Sequence, residues 1–275
     1  MHTISKIFSI LIVLGIMTNC GSDETPTPDP FADLHLVKTQ AIDNSTLSVK
    51  IYSENNNEFF VGYNSYQVGL FDTDGELVTN SDINIMPMMH MEMMSGGMMD
   101  HMEHSAPHEI LGDNDLNLHT FSTVFQMPSG DMQKWHLHLT GTDPVANQDI
   151  DMMIDLDVST PELAMMKSFS VNDVGHFISL VQTASPEVGI NDFEVTVYKR
   201  AGMMSWPAVE GLTIQITPEM PAMGHGSPNN VNPTHVGNGH YKGTVNFTMT
   251  GLWRINVSIL EADNLLAETS FDITL

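Results

Sequence analysis

Cysteine is almost missing from this chain of 275 residues, in which Cys20 is the single example. One cysteine excludes an intramolecular disulfide, a thiolate zinc site and a cysteine-ligated blue-copper centre. A fold without these staples depends on its apolar core, and the chain is long enough to bury one large core or two ordinary ones.

Basic residues are also scarce. The chain has 9 Lys and Arg against 34 Asp and Glu, which gives a formal net charge of -25. Binding to nucleic acid requires basic residues that neutralise phosphates, and adhesion to an anionic membrane surface requires them in clusters. The charge balance therefore excludes nucleic acid as a partner and argues against direct adhesion to an anionic membrane surface.

Long hydrophobic runs are missing as well. The apolar stretch from Ile7 to Met17 follows Lys6 and is too short to cross a bilayer, but it has the form of a signal-peptide core. With Cys20 directly after it, this segment resembles a bacterial lipoprotein signal. The resemblance implies that residues 1–19 are removed, that Cys20 is lipidated, and that the protein is anchored to the outer membrane, on the periplasmic side or the cell surface. Residues 20–32 are polar and rich in proline, and we expect a flexible tether there.

Recognisable catalytic motifs are absent. The sequence has no G-x-S-x-G, no H-E-x-x-H and no Walker loop, and the lone cysteine precedes the predicted folded region. Abundant carboxylates in an acidic chain carry no information about acid and base pairs. We therefore predict that the protein is not an enzyme.

The remainder of the chain alternates apolar and polar residues in short runs divided by turn residues. Segments such as Thr46–Tyr52, Trp135–Leu139 and Trp253–Leu260 show this period of two, and no long amphipathic helical stretch is present. The pattern predicts an all-β chain, and the spacing of the strands is typical of sandwiches.

An internal repeat divides the chain into two predicted domains, residues 33–158 and 159–275. Four blocks recur in the same order without internal gaps. They pair Gly62–Phe71 with Gly189–Tyr198, Ile83–Met89 with Ile214–Met220, Phe125–Met127 with Phe247–Met249, and Trp135–Leu139 with Trp253–Val257.

The second half carries three motifs: Pro218-Glu-Met-Pro-Ala-Met-Gly-His225, Gly239-His-Tyr241 and Met249-Thr-Gly-Leu-Trp253. Together they resemble the YtkA-like and FixH-like family of bacterial envelope modules. The resemblance covers about 85 residues of the second half and, through the repeat, a diverged first copy. It implies two tandem immunoglobulin-like β-sandwiches in the cell envelope, in a family often associated with copper handling. Met220, Met223 and His225 match the family motif and form a second, smaller candidate metal site.

Methionine is present in large excess, with 22 residues beside 13 His. Residues 86–108, hereafter the Met/His segment, hold 9 Met and 4 His in 23 positions. Thioethers are soft ligands suited to Cu(I), and imidazole binds Cu(I), Cu(II) and zinc. We expect a mobile loop that binds copper, with Cu(I) favoured and Cu(II) possible. Its candidate ligands are Met86, Met88, Met89, His90, Met91, Met93, Met94, Met98, Met99, His101, Met102, His104 and His108.

Packing is the competing interpretation of methionine, because the side chain is a common core filler. It fits the pairs at 152–153, 165–166 and 203–204. It fits the Met/His segment poorly, since nine methionines interrupted by charges, histidines and Gly-Gly cannot all share one buried face. His136 and His138 should lie together on the face opposite Trp135, where they could chelate one ion.

The sequence therefore predicts an envelope lipoprotein that binds copper, either to deliver it to a cuproprotein or copper transporter or to sequester it. Two alternatives stay open. One is a structural or adhesive surface lipoprotein whose Met-rich loop binds a protein partner. The other is a binder of silver or nickel, since the ligand types alone do not select the metal.

Overall fold

The computed structural model describes residues 31–54, 58–95, 98–181 and 185–275, with only the backbone described between 93 and 100. The predicted signal peptide, Cys20 and most of the predicted tether lie outside these ranges. Within them, no helix has the length and apolar character needed to cross a bilayer.

The first sandwich consists of nine antiparallel strands arranged in two sheets. One sheet has the order β1-β2-β3-β7-β6 and the other β5-β4-β8-β9. The strands are β1 (His35–Ala41), β2 (Ser48–Ser53), β3 (Gly62–Phe71), β4 (Asp82–Ser95), β5 (Met98–Ser105), β6 (His108–Asp113), β7 (His119–Phe125), β8 (Gln133–Asp143) and β9 (Gln148–Leu156).

The second sandwich repeats this arrangement strand for strand. Its sheets have the orders β10-β11-β12-β16-β15 and β14-β13-β17-β18, so adding nine to each label of the first sandwich gives the second. The strands are β10 (Met166–Val171), β11 (Val174–Val181), β12 (Gly189–Lys199), β13 (Thr213–Met220), β14 (His225–Gly226), β15 (Val231–Gly237), β16 (His240–Phe247), β17 (Leu252–Glu261) and β18 (Asn264–Thr274).

The period of two in the sequence becomes the division between core and surface. Along β8, Trp135, Leu137 and Leu139 are at most 1% exposed and belong to the core between the two sheets. Trp253 and its alternate neighbours occupy the same positions in the second core. The predicted fold class, all-β with two tandem immunoglobulin-like sandwiches, is confirmed.

In both cores a buried tryptophan donates a hydrogen bond to the backbone carbonyl oxygen of a methionine. The indole Nε1 of Trp135 donates a hydrogen bond to the carbonyl oxygen of Met127 at 2.8 Å, and Trp253 donates to Met249 at 3.0 Å. A buried indole N–H needs such an acceptor because leaving it unpaired costs free energy. The repeated Phe-x-Met and Trp blocks of the sequence therefore build one repeated structural unit.

The two sandwiches contact each other through a network of charged and phenolic side chains. His240 of the second sandwich lies between two carboxylates, 2.6 Å from Glu194 and 3.3 Å from Glu109 of the first sandwich. The hydroxyl of Tyr198 also donates to Glu109, and Lys242 lies 3.2 Å from Glu194. These contacts connect strand β6 to the sheet formed around β12 and β16.

Protonation of His240 is stabilised by this network. Burial lowers the pKa of His240, but the hydrogen bonds and charges of Glu109 and Glu194 outweigh it and raise the pKa to about 9. Burial raises the pKa of the carboxyl groups of Glu109 and Glu194. Hydrogen bonds from His240 to both groups, from Tyr198 to Glu109 and from Lys242 to Glu194 outweigh burial, so the pKa of each carboxyl group is lower than usual. Tyr63, whose ring centroid is 5.6 Å from that of His240, has a pKa raised by burial to about 12.

We expect the stabilising contribution of His240 to disappear at alkaline pH. Since its pKa is about 9 in the folded chain and about 6.5 when unfolded, the contribution is complete below about pH 6.5 and is lost as the pH rises through about 9. Urea unfolding at pH 6.5 and 9.5 should show a larger loss for the wild-type protein than for His240→Gln. Equal losses in the two proteins would contradict the assignment.

Candidate metal centre

The Met/His segment is mostly a β-hairpin instead of the mobile loop expected from its composition. Strands β4 and β5 pair from Met88↔Ser105 outwards to Ser95↔Met98. Alternate residues of β4 continue its apolar face, since Met89 is fully buried and Met91 packs against the core. Pairing into the sheet buries these side chains, which a loop wrapped around an ion would not do.

Four of the predicted ligands lie on the core side of this hairpin. Met89 is 0% exposed and His104, directly opposite it, is 8% exposed with its ring edge-on to Trp135 at 5.5 Å. Met91 and Met102 form the next inward-facing pair. The period of two places Met89, Met91, Met102 and His104 in the core, away from the outer face on which the other described ligands of the hairpin lie.

The outer face of the same sheet brings methionine and histidine together from distant parts of the chain. Met86 lies directly opposite His138, and Met88 directly opposite His136, across β4 and β8. His138 is also opposite Met153 on β9. Directly opposite residues have Cβ atoms about 5 Å apart. We name Met86, Met88, His136, His138 and Met153 the sheet-face cluster.

His136 has the properties of a ligand that is ready to bind. It is only 9% exposed, and its Nε2 is buried with no hydrogen-bond partner among the described residues. Burial lowers the pKa of His136 and outweighs the opposing charges of Glu103 and Asp155. A neutral imidazole with an unpaired nitrogen is the form that coordinates a metal.

Carboxylates border the sheet-face cluster. The Nε2 of His138 lies 2.8 Å from Asp151, and Asp155 lies directly opposite His136 on β9. A carboxylate on one nitrogen fixes the orientation of an imidazole and leaves the other nitrogen for a ligand. The acids also supply negative charge beside the thioethers and imidazoles.

The outer part of the hairpin holds two more histidines. The rings of His90 and His101 are 5.1 Å apart, and the Nδ1 of His90 lies 3.4 Å from Glu103. Among the described residues, no three His, Cys, Asp or Glu side chains converge as a metal site. The side chains of Met93, Met94, Met98 and Met99 lie outside the described residues, and their role stays a prediction.

In the second sandwich, the positions equivalent to the sheet-face cluster carry other residue types. The matching cross-strand pairs are Thr217↔Asn256 and Glu219↔Arg254, and Ser270 lies opposite Asn256. Arg254 forms an ion pair with Asp272 at 2.8 Å. The sandwich fold therefore does not require methionine or histidine on this face, where Met88 is 7% exposed and His136 is 9% exposed in the first copy.

The other predicted ligands lie apart from the cluster. His108 is in β6, on the opposite sheet, and its Nδ1 lies 2.9 Å from the carbonyl oxygen of Ala106. In the second sandwich, Met220 is 4% exposed, Met223 is 61% exposed and His225 lies directly opposite Met220. These three residues form a separate group.

Sequence reasoning missed Met153 as a member of the cluster. It assigned the methionine pair at 152–153 to the core as a unit, although a strand sends neighbouring residues to opposite faces. Met152 packs against the core while Met153 is 47% exposed. The alternation of Ile150, Met152 and Ile154 was the signal that could have identified it.

Comparison with known families gives one match. A family model described as YtkA-like matches residues 176–258, a range that runs from β11 into β17. No curated protein matches the chain.

Several solved structures resemble the chain at low sequence identity. Domains 5-6 of the S-layer protein SbsC are 10% identical, with 87% of this chain and 99% of that chain covered and a TM-score of 0.27. The Escherichia coli adhesin FdeC is 16% identical, and the match covers 86% of this chain and 65% of that chain with a TM-score of 0.24. The Yersinia pseudotuberculosis adhesin InvE is 10% identical, and the match covers 88% of this chain and 59% of that chain with a TM-score of 0.25. The chain spans less than two thirds of either adhesin structure.

We expect His136 to remain neutral at a lower pH than an ordinary histidine. Burial disfavours its charged form, so its protonation midpoint should lie below about 6.5. A pH titration of the imidazole 15N signals by NMR measures this midpoint and identifies which nitrogen carries the proton. A midpoint at or above the ordinary value would contradict the geometry described for Nε2.

Proposed function

We propose that this chain is a cell-envelope protein that captures copper on the outer face of its first sandwich, with Cu(I) favoured and Cu(II) possible. The observation that carries the proposal is the contrast between the repeats. One fold has thioethers and imidazoles at five facing positions in one copy, and Thr, Glu, Arg, Asn and Ser at the same positions in the other.

The donor types of the sheet-face cluster favour Cu(I). Met86, Met88 and Met153 offer soft thioethers, and His136 and His138 offer imidazole nitrogens. Thioethers also keep their ligand character in an oxidising compartment, where thiols readily form disulfides. The chain as a whole carries a net charge of -25, which raises the local concentration of cations.

The hairpin gives the cluster a route for exchange. His90 and His101 lie beyond Met88 along β4 and β5, towards the predicted ligands near the hairpin end. Stepwise replacement of methionine ligands by those of a partner would move the cargo without releasing a free ion. Such a partner would be a cuproprotein or copper transporter; without one, the same site would sequester copper.

An envelope location rests on two features of the chain. The N-terminal segment has the form of a lipoprotein signal ending at Cys20. Residues 176–258 match the YtkA-like family model. A lipid on Cys20 would anchor the protein to the outer membrane, with residues 20–32 as a tether between the anchor and the first sandwich.

Removing outward-facing ligands should weaken Cu(I) binding more than removing inward-facing methionines of the same strand. The variant Met86→Leu/Met88→Leu/His136→Gln should lose at least about tenfold in affinity for each ligand removed. Anaerobic Cu(I) titration of the purified protein against a competing chelator measures this loss.

The matched control is Met89→Leu/Met91→Leu, which changes the same number of thioethers on β4 but on the core side. It should retain wild-type affinity. Unchanged affinity in the outward-facing variant would overturn the proposal. A protein partner that is lost in that variant without any dependence on metal would instead identify a structural or adhesive surface protein.

Lipidation is tested separately at Cys20. Cells that express the wild-type protein should incorporate labelled fatty acid into it and keep it in the membrane fraction. Cys20→Ser should abolish both the label and the membrane association, because the thiol is the attachment point. Label that persists in Cys20→Ser would exclude this anchor.

A further inference from the structure

The contact between the two sandwiches uses one row of outer-face residues on the first sandwich. Glu109 of β6 and Ser65 of β3 both lie opposite Ser122 of β7. Tyr63 lies two residues before Ser65 and so on the same face of β3. The ring of Tyr63 is 5.6 Å from that of His240, and Glu109 lies 3.3 Å from the same histidine. We call these positions, which dock the first sandwich on the second, the docking row.

The second sandwich has apolar residues in the equivalent docking row. The internal repeat aligns Ile190 with Tyr63. Val231 of β15 lies opposite Thr244, and this is the position that Glu109 has in β6. Ile190 is 67% exposed and Val231 is 56% exposed. The docking row of the second sandwich is therefore apolar and open to solvent, whereas that of the first is polar and makes the domain contact.

The face that receives a docking row also differs between the two copies. In the second sandwich it is polar, and Ser179, Tyr198 and His240 make the contacts with the first sandwich. In the first sandwich, Phe71 has the position of Tyr198 and Leu118 has that of His240. Both of these residues are fully buried. The receiving face of the first sandwich is thus apolar.

Residues 31–34 cover the receiving face of the first sandwich. The ring of Phe31 stands edge-on to that of Phe71 at 5.5 Å, and Leu34 packs against the same apolar cluster. Phe31 therefore lies on Phe71, the counterpart of Tyr198, which Glu109 contacts in the other copy. Phe31 and Leu34 are only half-buried, so this cover leaves apolar surface in contact with water.

The contact inside the chain joins the polar docking row to the polar receiving face. The apolar row and the apolar face remain, one on each sandwich. We infer that Ile190 and Val231 of one copy dock on the apolar receiving face of a second copy and displace Phe31 and Leu34 from it. Such a contact is head-to-tail, so it can continue from copy to copy.

Charge favours the same pairing. Lys50 has, on the receiving face, the position that Ser179 has in the second sandwich. Ser179 accepts a hydrogen bond from the amide of Tyr63 at 2.8 Å, so Lys50 should lie beside Ile190 of the incoming copy. Asp192 is exposed and lies two residues from Ile190 on the same face of β12. The incoming row therefore brings a carboxylate close to the ammonium group of Lys50.

Sedimentation velocity of the purified protein tests the inference. The protein should be studied at concentrations up to about 1 mM and in about 0.5 M salt, which screens the repulsion between chains of net charge -25. A reductant prevents Cys20 from linking two copies. The wild-type protein should associate reversibly and grow beyond a dimer as its concentration rises.

Ile190→Thr/Val231→Thr should weaken this association at least about tenfold. Both side chains are exposed and threonine suits a strand, so the fold should stay intact. The matched control is Val145→Thr/Leu265→Thr, which changes side chains of similar exposure, 67% and 56%, outside the docking row. The control should associate like the wild-type protein.

Two further variants test the receiving face. Phe31→Ala/Leu34→Ala uncovers this face and should strengthen association. Lys50→Glu should weaken association, and Lys50→Glu/Asp192→Lys should restore it because the two charges are exchanged across the contact.

A wild-type protein that stays monomeric throughout would overturn the inference, as would equal association of Ile190→Thr/Val231→Thr. Weaker association of Phe31→Ala/Leu34→Ala would contradict the displacement of the N-terminal segment. Association should be the same in Met88→Leu/His136→Gln and in the presence of a metal chelator, and a requirement for metal would also overturn the inference. The inference and the proposed copper binding therefore fail separately.

Discussion

The antiparallel register between β4 and β8 determines which of their residues enter the core and which form the outer face. Ile85, Met89, Trp135 and Leu137 fill the core, and full burial of each is worth roughly 1.5–3 kcal/mol. A slip of one residue would reverse the two faces and expose this apolar surface to water. Burial of these core residues therefore fixes the register that places Met88 opposite His136, although neither Met88 nor His136 belongs to the core.

The internal repeat separates what the fold requires from what it permits. Both sandwiches retain a Met, His and Trp group at the same place on the core side, with the same bond from the histidine Nδ1 to a backbone carbonyl. The outer faces differ, since Arg254 forms an ion pair with Asp272 where His136 lies opposite Asp155 in the first copy. A change confined to the outer face cannot be explained by the demands of the shared core.

Contacts between the sandwiches add a second level of organisation. The hairpin ends at Ser105, whose amide donates to the carbonyl oxygen of Met203 at 2.9 Å. A few residues later, Glu109 meets Tyr198 and His240. The segment that carries the proposed copper ligands is thus held at its base by the second sandwich. Trp206 of the second sandwich packs on His104, which is buried, whereas the equivalent residue His225 is half-buried.

The sequence by itself determined the all-β class, the two copies and the inward direction of Trp135 and Trp253, because these follow from a local period of two. It also indicated that residues 86–108 carry unusual chemistry. It could not determine which methionines share a face with which histidines. Met153, His138 and Met86 meet through pairing between β9, β8 and β4, and Trp206 reaches His104 across the domain contact. Hydrogen-bond register and domain packing join residues far apart in the chain, so only the tertiary structure decided the composition of each site.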